Sequence, residues 1–436
     1  MEVTRIARLS DGGRKESAAA QFSADNETEE KVVNVYNATR QKILGFGGAF
    51  TDSAAYNYSL LSPEEKQKTL ELLFGKTGLK YNFCRIPMAS SDFSLYMYDN
   101  VKDGGRQFDI TEDEKYKIPF ISDALRYTDG KMTFFASPWS PPAFMKDNGD
   151  RLHGGSLMEK YYGDWANAFC AFIRSYERHS IKISAVTLQN EPHAVQTWES
   201  CVFDAEQETR FARVLKEKFK REGIDAAVLV WDHNKERAFE WAETIIDAET
   251  DHMVAGIAFH WYSGDHFEAL RMIRERFPKK KLLLSEACIE FSKYSAEDNL
   301  ANAQKYAHDI IGNLNEGMSV FLDWNLVLDE LGGPNHVKNF CDAPYLFDTA
   351  QKQLVERELQ SYIKHFSHYI ETGAVRIGVS RYTDKLEITA FQKNSKIVFV
   401  LLNRTQEAIP AFIRLNDTCA GLIAAPNSIA TGVVNI

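Results

Sequence analysis

Short apolar runs alternate with stretches of helical periodicity from about residue 40 to about residue 370. Eight of the runs read as strands: Ile43–Gly47, Tyr81–Pro87, Met132–Ser137, Ile183–Gln189, Ala227–Asp232, Val254–His260, Lys281–Ser285 and Ser319–Asn325. Helical patterns fill the gaps between them, which predicts a parallel sheet with crossover helices. The clearest helix start is Ser62-Pro63-Glu64-Glu65, where Ser62 can cap, Pro63 suits the first helical position and Glu65 would complete a capping box. Eight strand–helix units over this length match an α/β fold of the (β/α)8 barrel type.

Beyond about Thr372 the pattern changes to strict alternation at short spacing: Ala374–Val379, Leu386–Phe391, Ile397–Leu402 and Ala411–Leu415. This predicts an antiparallel unit of about seven strands. The first 40 residues also lack helical periodicity and contain the β-rich Lys31–Tyr36. The expected architecture is therefore a barrel over 41–371 with an accessory β-sandwich. That sandwich is built from the C-terminal segment, 372–436, and N-terminal strands within 1–40.

Two of the eight runs end in an acid. The run Ile183–Gln189 leads through Asn190 to Glu191 and Pro192, and Lys281–Ser285 leads directly to Glu286. In a barrel, functional residues gather at the C-terminal ends of the strands, so both carboxylates should face one pocket. Strands four and seven lie across the barrel mouth from each other. Retaining cleavage of a glycosidic bond needs such a pair about 5–5.5 Å apart, one as nucleophile and one as acid and then base. Either glutamate alone could equally cap a helix in its loop; the two together point to a glycosidase.

Composition narrows the picture. Of 436 residues, 44% are hydrophobic and 26% charged, and the formal charge of −10 argues against a groove for nucleic acid. The six cysteines show neither CxxC nor zinc-ligand spacing. No apolar run is long enough to insert in a membrane, and no secretory leader is visible, so reduced thiols and a cytoplasmic location are expected. Asp232-His233 and Asp265-His266 are residue types that bind metals, but they read as exposed loop pairs without third and fourth ligands. No metal and no cofactor are expected. Gly45–Gly48 lacks a phosphate-binding spacing and reads as a tight backbone turn above the barrel.

Seven motifs, in order along the chain, resemble glycoside hydrolase family 30, and within it the glucosylceramidase branch. They are Gly45-Phe-Gly-Gly-Ala-Phe-Thr-Asp52, Arg85-Ile-Pro-Met-Ala-Ser90, Ser137-Pro-Trp-Ser-Pro141, Asn190-Glu-Pro192, His260-Trp-Tyr262, Ser285-Glu-Ala-Cys288, and Asp323-Trp-Asn-Leu326 with Gly332-Gly-Pro-Asn335. The resemblance implies Glu191 as acid/base and Glu286 as nucleophile. It implies Asn190 at the sugar 2-hydroxyl, and Asp52, Trp139, Trp324 and Asn339 around the remaining hydroxyls. Arg85 and Tyr262 would hold the nucleophile ionised, His260 would lie beside the catalytic pair, and Trp198 would wall the leaving group.

Read without the family, Arg85 could be only a buried ion-pair partner, Asp52 a helix N-cap and His260 strand packing. Burial and the Glu286 charge are expected to raise the pKa of Glu191. His336 departs from the large aromatic residue of animal glucosylceramidases. The implied substrate is a small β-glycoside, first a terminal β-glucoside; β-xylosides, β-1,6-glucans and an inactive sugar-binding barrel are the alternatives. The oligomeric state stays open.

Overall fold

Eight strands stand where the apolar runs placed them: Gly45–Gly48, Phe83–Met88, Thr133–Pro138, Ile183–Thr187, Ala227–Asn234, Val254–His260, Lys281–Glu286 and Met318–Asp323. They neighbour one another in chain order, with the eighth beside the first, and a parallel bridge between Ala49 and Arg85 joins the first to the second. The ring is a closed (β/α)8 barrel. Its second strand is buried throughout and the seventh from its second residue on, which is why both read as continuous apolar runs. The structure, a computed structural model, describes residues 2–7, 15–25 and 29–435.

The glycines of the first motif do different work from the turn expected of them. Gly45–Gly48 is the first barrel strand itself, and none of its glycines has a left-handed φ. A Cβ on Gly47 would lie 1.6 Å from the carbonyl oxygen of Phe83. Glycine is needed there for close approach between strands. The helix Pro63–Phe74 begins as expected, with the Ser62 hydroxyl accepting from Glu65 N at 3.2 Å. The Glu65 carboxylate, however, accepts from Leu354 N at 3.3 Å.

Register slips at two strand ends position the chemistry. Trp231 pairs with Ala258 and His233 with Phe259, so Asp232 is an extra residue in its strand. Phe259 then pairs with Leu284 and His260 with Glu286, which makes Ser285 extra. An extra residue breaks the in–out alternation, so adjacent side chains can face the same side. Trp231 and Asp232 adopt φ of 75° and 57°, and the buried Glu208 braces the slip by accepting from Trp231 N at 3.1 Å.

By packing, the chain divides into two units. One comprises Phe46–Glu297 and Val320–Arg357; the other comprises Met1–Gly45, Asp298–Ser319 and Glu358–Ile436. The second unit carries a ten-strand sheet. From one edge its order is Lys15–Ala19, Glu2–Ala7, Ser428–Asn435, Lys396–Asn403, Leu386–Lys393, Val375–Arg381, Val32–Lys42, Ile409–Leu415, Thr418–Ala424 and Ser23–Ala24. The N-terminal strands thus join the C-terminal ones, as expected; among the described residues the C-terminal segment supplies six of the ten strands, where about seven were predicted, and the N-terminal segment supplies four. The sheet also has one parallel pair, Val32–Lys42 with Ile409–Leu415. Strands from opposite chain ends are not bound by a hairpin, so their direction is free. Alternate residues Ile409, Ala411, Ile413 and Leu415 enter a core with Val33, Ile388 and Phe399. Among the described residues no helix is long and apolar enough to cross a membrane.

Candidate active site

Arg85, on the second barrel strand, is wholly buried and organises the barrel mouth. Its Nη1 donates to Glu286 Oε2 at 2.7 Å, its Nη2 to Asp232 Oδ2 at 2.7 Å and Asn190 Oδ1 at 2.8 Å, and its Nε to Ser137 Oγ at 3.0 Å. The guanidinium lies 4.7 Å from the ring centroid of Trp139, which stacks on Trp324 at 5.0 Å and 12°. Such a cation is fixed by planar bonding and aromatic faces together. Accepting from Arg85 also orients the Asn190 amide, so that its NH2 group remains to meet a ligand.

Glu286 closes the seventh strand. Beside the Arg85 bond, it accepts from the Tyr262 hydroxyl at 2.9 Å through Oε1. Burial raises the Glu286 carboxyl above its ordinary value; His260 and Arg85 oppose that, while the Glu191 charge adds to it. Burial pushes Tyr262 well above 10, so its hydroxyl stays a donor.

Glu191 lies four residues past the fourth strand, in a left-handed backbone conformation with φ 46° and with its N–H on the Asp232 carbonyl at 2.9 Å. Its Oε1 is 3.1 Å from His260 Nδ1 and 3.6 Å from His233 Nδ1. The other ring nitrogen of His260 is 3.2 Å from Asp232 Oδ1. An imidazole between two carboxylates can satisfy both only by donating from both nitrogens. Burial works against the imidazolium, but the Glu286 charge and the bonds to Asp232 and Glu191 raise His260 to about 9.

The expectation for Glu191 is corrected here. Burial does push its carboxyl up, but His233 and His260 outweigh burial and hold it below the ordinary carboxylate value. Asp232 is likewise ionised: burial is overcome by Arg85, His260 and Ser285, the last donating at 2.6 Å.

The cavity above these groups encloses about 220 Å3. Of the residues singled out from the sequence, Trp139, Asn190, Glu191, Trp198, Tyr262, Glu286, Trp324 and Asn339 line it. Arg85 and His260 support it from below, through the bonds above.

Asp52 does not belong. It opens the helix Asp52–Leu60, whose N-cap is Thr51, and it is turned into a buried cluster with Lys117 at 3.5 Å, Ser94 and Tyr98. The acid that does line the cavity is Asp92, on the loop after the second strand, accepting from Asn339 Nδ2 at 3.2 Å. Burial and the charge of Glu286 raise Asp92 well above the usual range. Asp232 and His233, read from the sequence as an exposed loop pair, are buried on the fifth strand. Both could have been found by the rule that found Glu191 and Glu286, an acid or base at the end of an apolar strand. His336 does not line the cavity; it lies 3.3 Å from Glu199 Oε2 and is bonded to the Ser94 carbonyl at 2.9 Å.

A parallel barrel that gathers carboxylates, an arginine and stacked tryptophans at the ends of its strands defines a carbohydrate-active enzyme of the barrel class. Comparison with known proteins makes this definite. Residues 43–370 match the Glycosyl hydrolase family 30 TIM-barrel domain, and residues 373–432 the Glycosyl hydrolase family 30 beta sandwich domain. The lysosomal acid glucosylceramidase of Mus musculus is 33% identical, over 86% of this chain and 77% of that protein. SrfJ from Salmonella typhimurium superposes with a TM-score of 0.94 at 34% identity, over 100% of both chains. The endo-beta1,6-glucanase BT3312 superposes with a TM-score of 0.88 at 26% identity, over 99% of both. The chain belongs to glycosyl hydrolase family 30, and it is a glycoside hydrolase.

Proposed function

We propose that the enzyme is a retaining β-glucosidase that removes a terminal β-glucosyl residue by double displacement. One observation carries the reading: two carboxylates share one cavity but have opposite partners. Glu286 is held by a fixed cation and a hydroxyl donor, which suits a nucleophile that must be ionised. Glu191 is held by imidazoles that can supply and retrieve a proton, which suits an acid/base.

In the free enzyme the proton shared by His260 and Glu191 rests on the imidazole side. When the glycosidic oxygen approaches, that proton passes through Glu191 to the leaving group while Glu286 attacks the anomeric carbon. Esterification removes the Glu286 charge and leaves Glu191 a carboxylate, ready to deprotonate water. Asn190 faces the 2-hydroxyl, and Asp92, Trp324 and Asn339 read the outer hydroxyls.

A second reading, cleavage of a β-1,6-linked glucosyl unit, is favoured by the cavity mouth. Gln196, Asn234, Glu290 and Lys293 line it beside Trp198, a polar surface suited to a hydroxylated leaving group and not to a lipid tail.

The test is a panel of aryl β-glycosides followed by NMR of the first-formed sugar. The glucoside should exceed the xyloside in kcat/KM by about 10–100-fold, because a site that hydrogen-bonds the C6 hydroxyl is left unpaired by xylose. The product should appear first as the β anomer. A preferred xyloside refutes the sugar assignment, and an α anomer refutes retention.

A further inference from the structure

Beside the acid, three side chains bring metal-binding atoms together. Glu191 Oε1, His233 Nδ1 and His260 Nδ1 belong to residues whose donor atoms all lie within 4.8 Å of one another. Donors about 2.0–2.1 Å from a tetrahedral ion stand roughly 3.3 Å apart. The observed separations of 3.1 and 3.6 Å from Glu191 Oε1 bracket that value.

Two further observations point to a ligand. His233 Nδ1 is buried and stands 3.6 Å from Glu191 Oε1, close enough to act on its charge but beyond hydrogen-bond distance, so among the described residues the atom closes no hydrogen bond. His260 is backed by a carboxylate through its other nitrogen, Asp232 Oδ1 at 3.2 Å. That is the arrangement that orients metal-binding histidines and raises their basicity. Asp232 is fixed in turn by Arg85, Ser285 and Thr187 at 2.6–2.7 Å. Glu191 and His233 both line the cavity, so the fourth position would open toward the substrate.

We propose that Glu191, His233 and His260 form a His2Glu site for a borderline divalent transition metal, with Zn2+ the best match, and that the bound ion switches hydrolysis off. Two imidazoles and one carboxylate are the ligand set that zinc accepts with one position left open. Binding replaces the proton on His260 Nδ1 and takes the Glu191 oxygen, so neither atom can deliver a proton. The inhibition, though not the binding, rests on the reading of Glu191 as acid/base.

A rival site must be separated: the Cys288 and Cys341 thiols lie 3.3 Å apart, and Cys288 also lines the cavity. The full chain, stripped of metal with a chelator, is titrated with ZnCl2, CoCl2 and MgCl2. One Zn2+ per chain should bind, and Co2+ should give the visible absorption of a four-coordinate ion. Aryl β-glucoside hydrolysis should fall as the site fills and return with EDTA, while the oxygen-seeking Mg2+ does neither.

His233→Ala, or His233→Asn if the first variant folds poorly, should raise the half-saturating Zn2+ concentration at least about tenfold, the loss that even an outer partner causes. Cys288→Ser should leave that concentration within about twofold. Each variant is compared with its own zinc-free rate. Absence of one-to-one binding, binding indifferent to His233, or binding lost with Cys288 overturns the proposal. Binding as described without loss of turnover keeps the metal site and overturns Glu191 as the acid.

Discussion

Replacing Tyr262 with Phe removes one hydroxyl and keeps the ring. That hydroxyl donates to Glu286 Oε1 at 2.9 Å in a buried setting, so it stabilises the ionised carboxyl and not the protonated one. A hydrogen bond to a charged group contributes about 1.5–3 kcal/mol, and one pKa unit corresponds to about 1.36 kcal/mol, so Glu286 should rise by roughly 1–2 units. The sign follows from the role. A nucleophile must be ionised, and activity is lost as pH falls through its pKa. The acid limb of kcat/KM should therefore move upward by about 1–2 pH units. The alkaline limb, set by the His260–Glu191 pair near 9, should stay in place. The assay is kcat/KM for an aryl β-glucoside from pH 4 to 10, with circular dichroism to confirm folding at each pH. An acid limb that does not move, or a shift confined to the alkaline limb, refutes the assignment of Tyr262 to the nucleophile.

Other perturbations separate the remaining parts. Glu191→Gln should abolish the alkaline limb and cost most on substrates with poor leaving groups; an unchanged pH profile would mean that another residue supplies the proton. Asp92→Ala should lower kcat/KM for glucosides by about 5–150-fold, the loss of a buried hydrogen-bond partner at about 1–3 kcal/mol. Asp52→Ala should instead destabilise the fold by about 1–3 kcal/mol, because the buried Ser94 and Tyr98 hydroxyls lose their acceptor while Lys117 keeps Asp113 at 2.8 Å, and should leave sugar preference alone; calorimetry and the glycoside panel distinguish the two.

Much of this was legible from the chain because barrel strands are buried on both faces. Lys281–Ser285 and Val254–His260 read as unbroken apolar runs, and a run ending in an acid marks a functional strand end. What stayed hidden depends on backbone detail. Asp232 ends an apolar run, so its place at a strand end was legible, but that it and His233 both serve the site depends on a one-residue slip there, which no residue pattern announces. Asp52 ends one motif and Asp92 follows another. Only the packing of Lys117 and Ser94 against one, and of Asn339 against the other, tells the structural acid from the one in the cavity. In the sheet, Thr418–Ala424 and Ser428–Asn435 are rich in Ala, Gly and Ser, which blunts the apolar alternation that revealed their neighbours. The proton balance of Glu191 was out of reach for a similar reason: it depends on His233 and His260, which come together only in space.

Azide rescue tests the central assignment most directly, because it reads the two carboxylates by the face they occupy. In Glu286→Ala the cavity left on the α face should admit azide, which attacks the intact β-glucoside and gives an α-glucosyl azide. In Glu191→Ala, with an activated leaving group, the glycosyl-enzyme still forms on Glu286 and azide enters from the β face, giving the β-glucosyl azide. NMR of the two products should show these opposite anomers, α from Glu286→Ala and β from Glu191→Ala. The reverse pattern would show that nucleophile and acid have been exchanged.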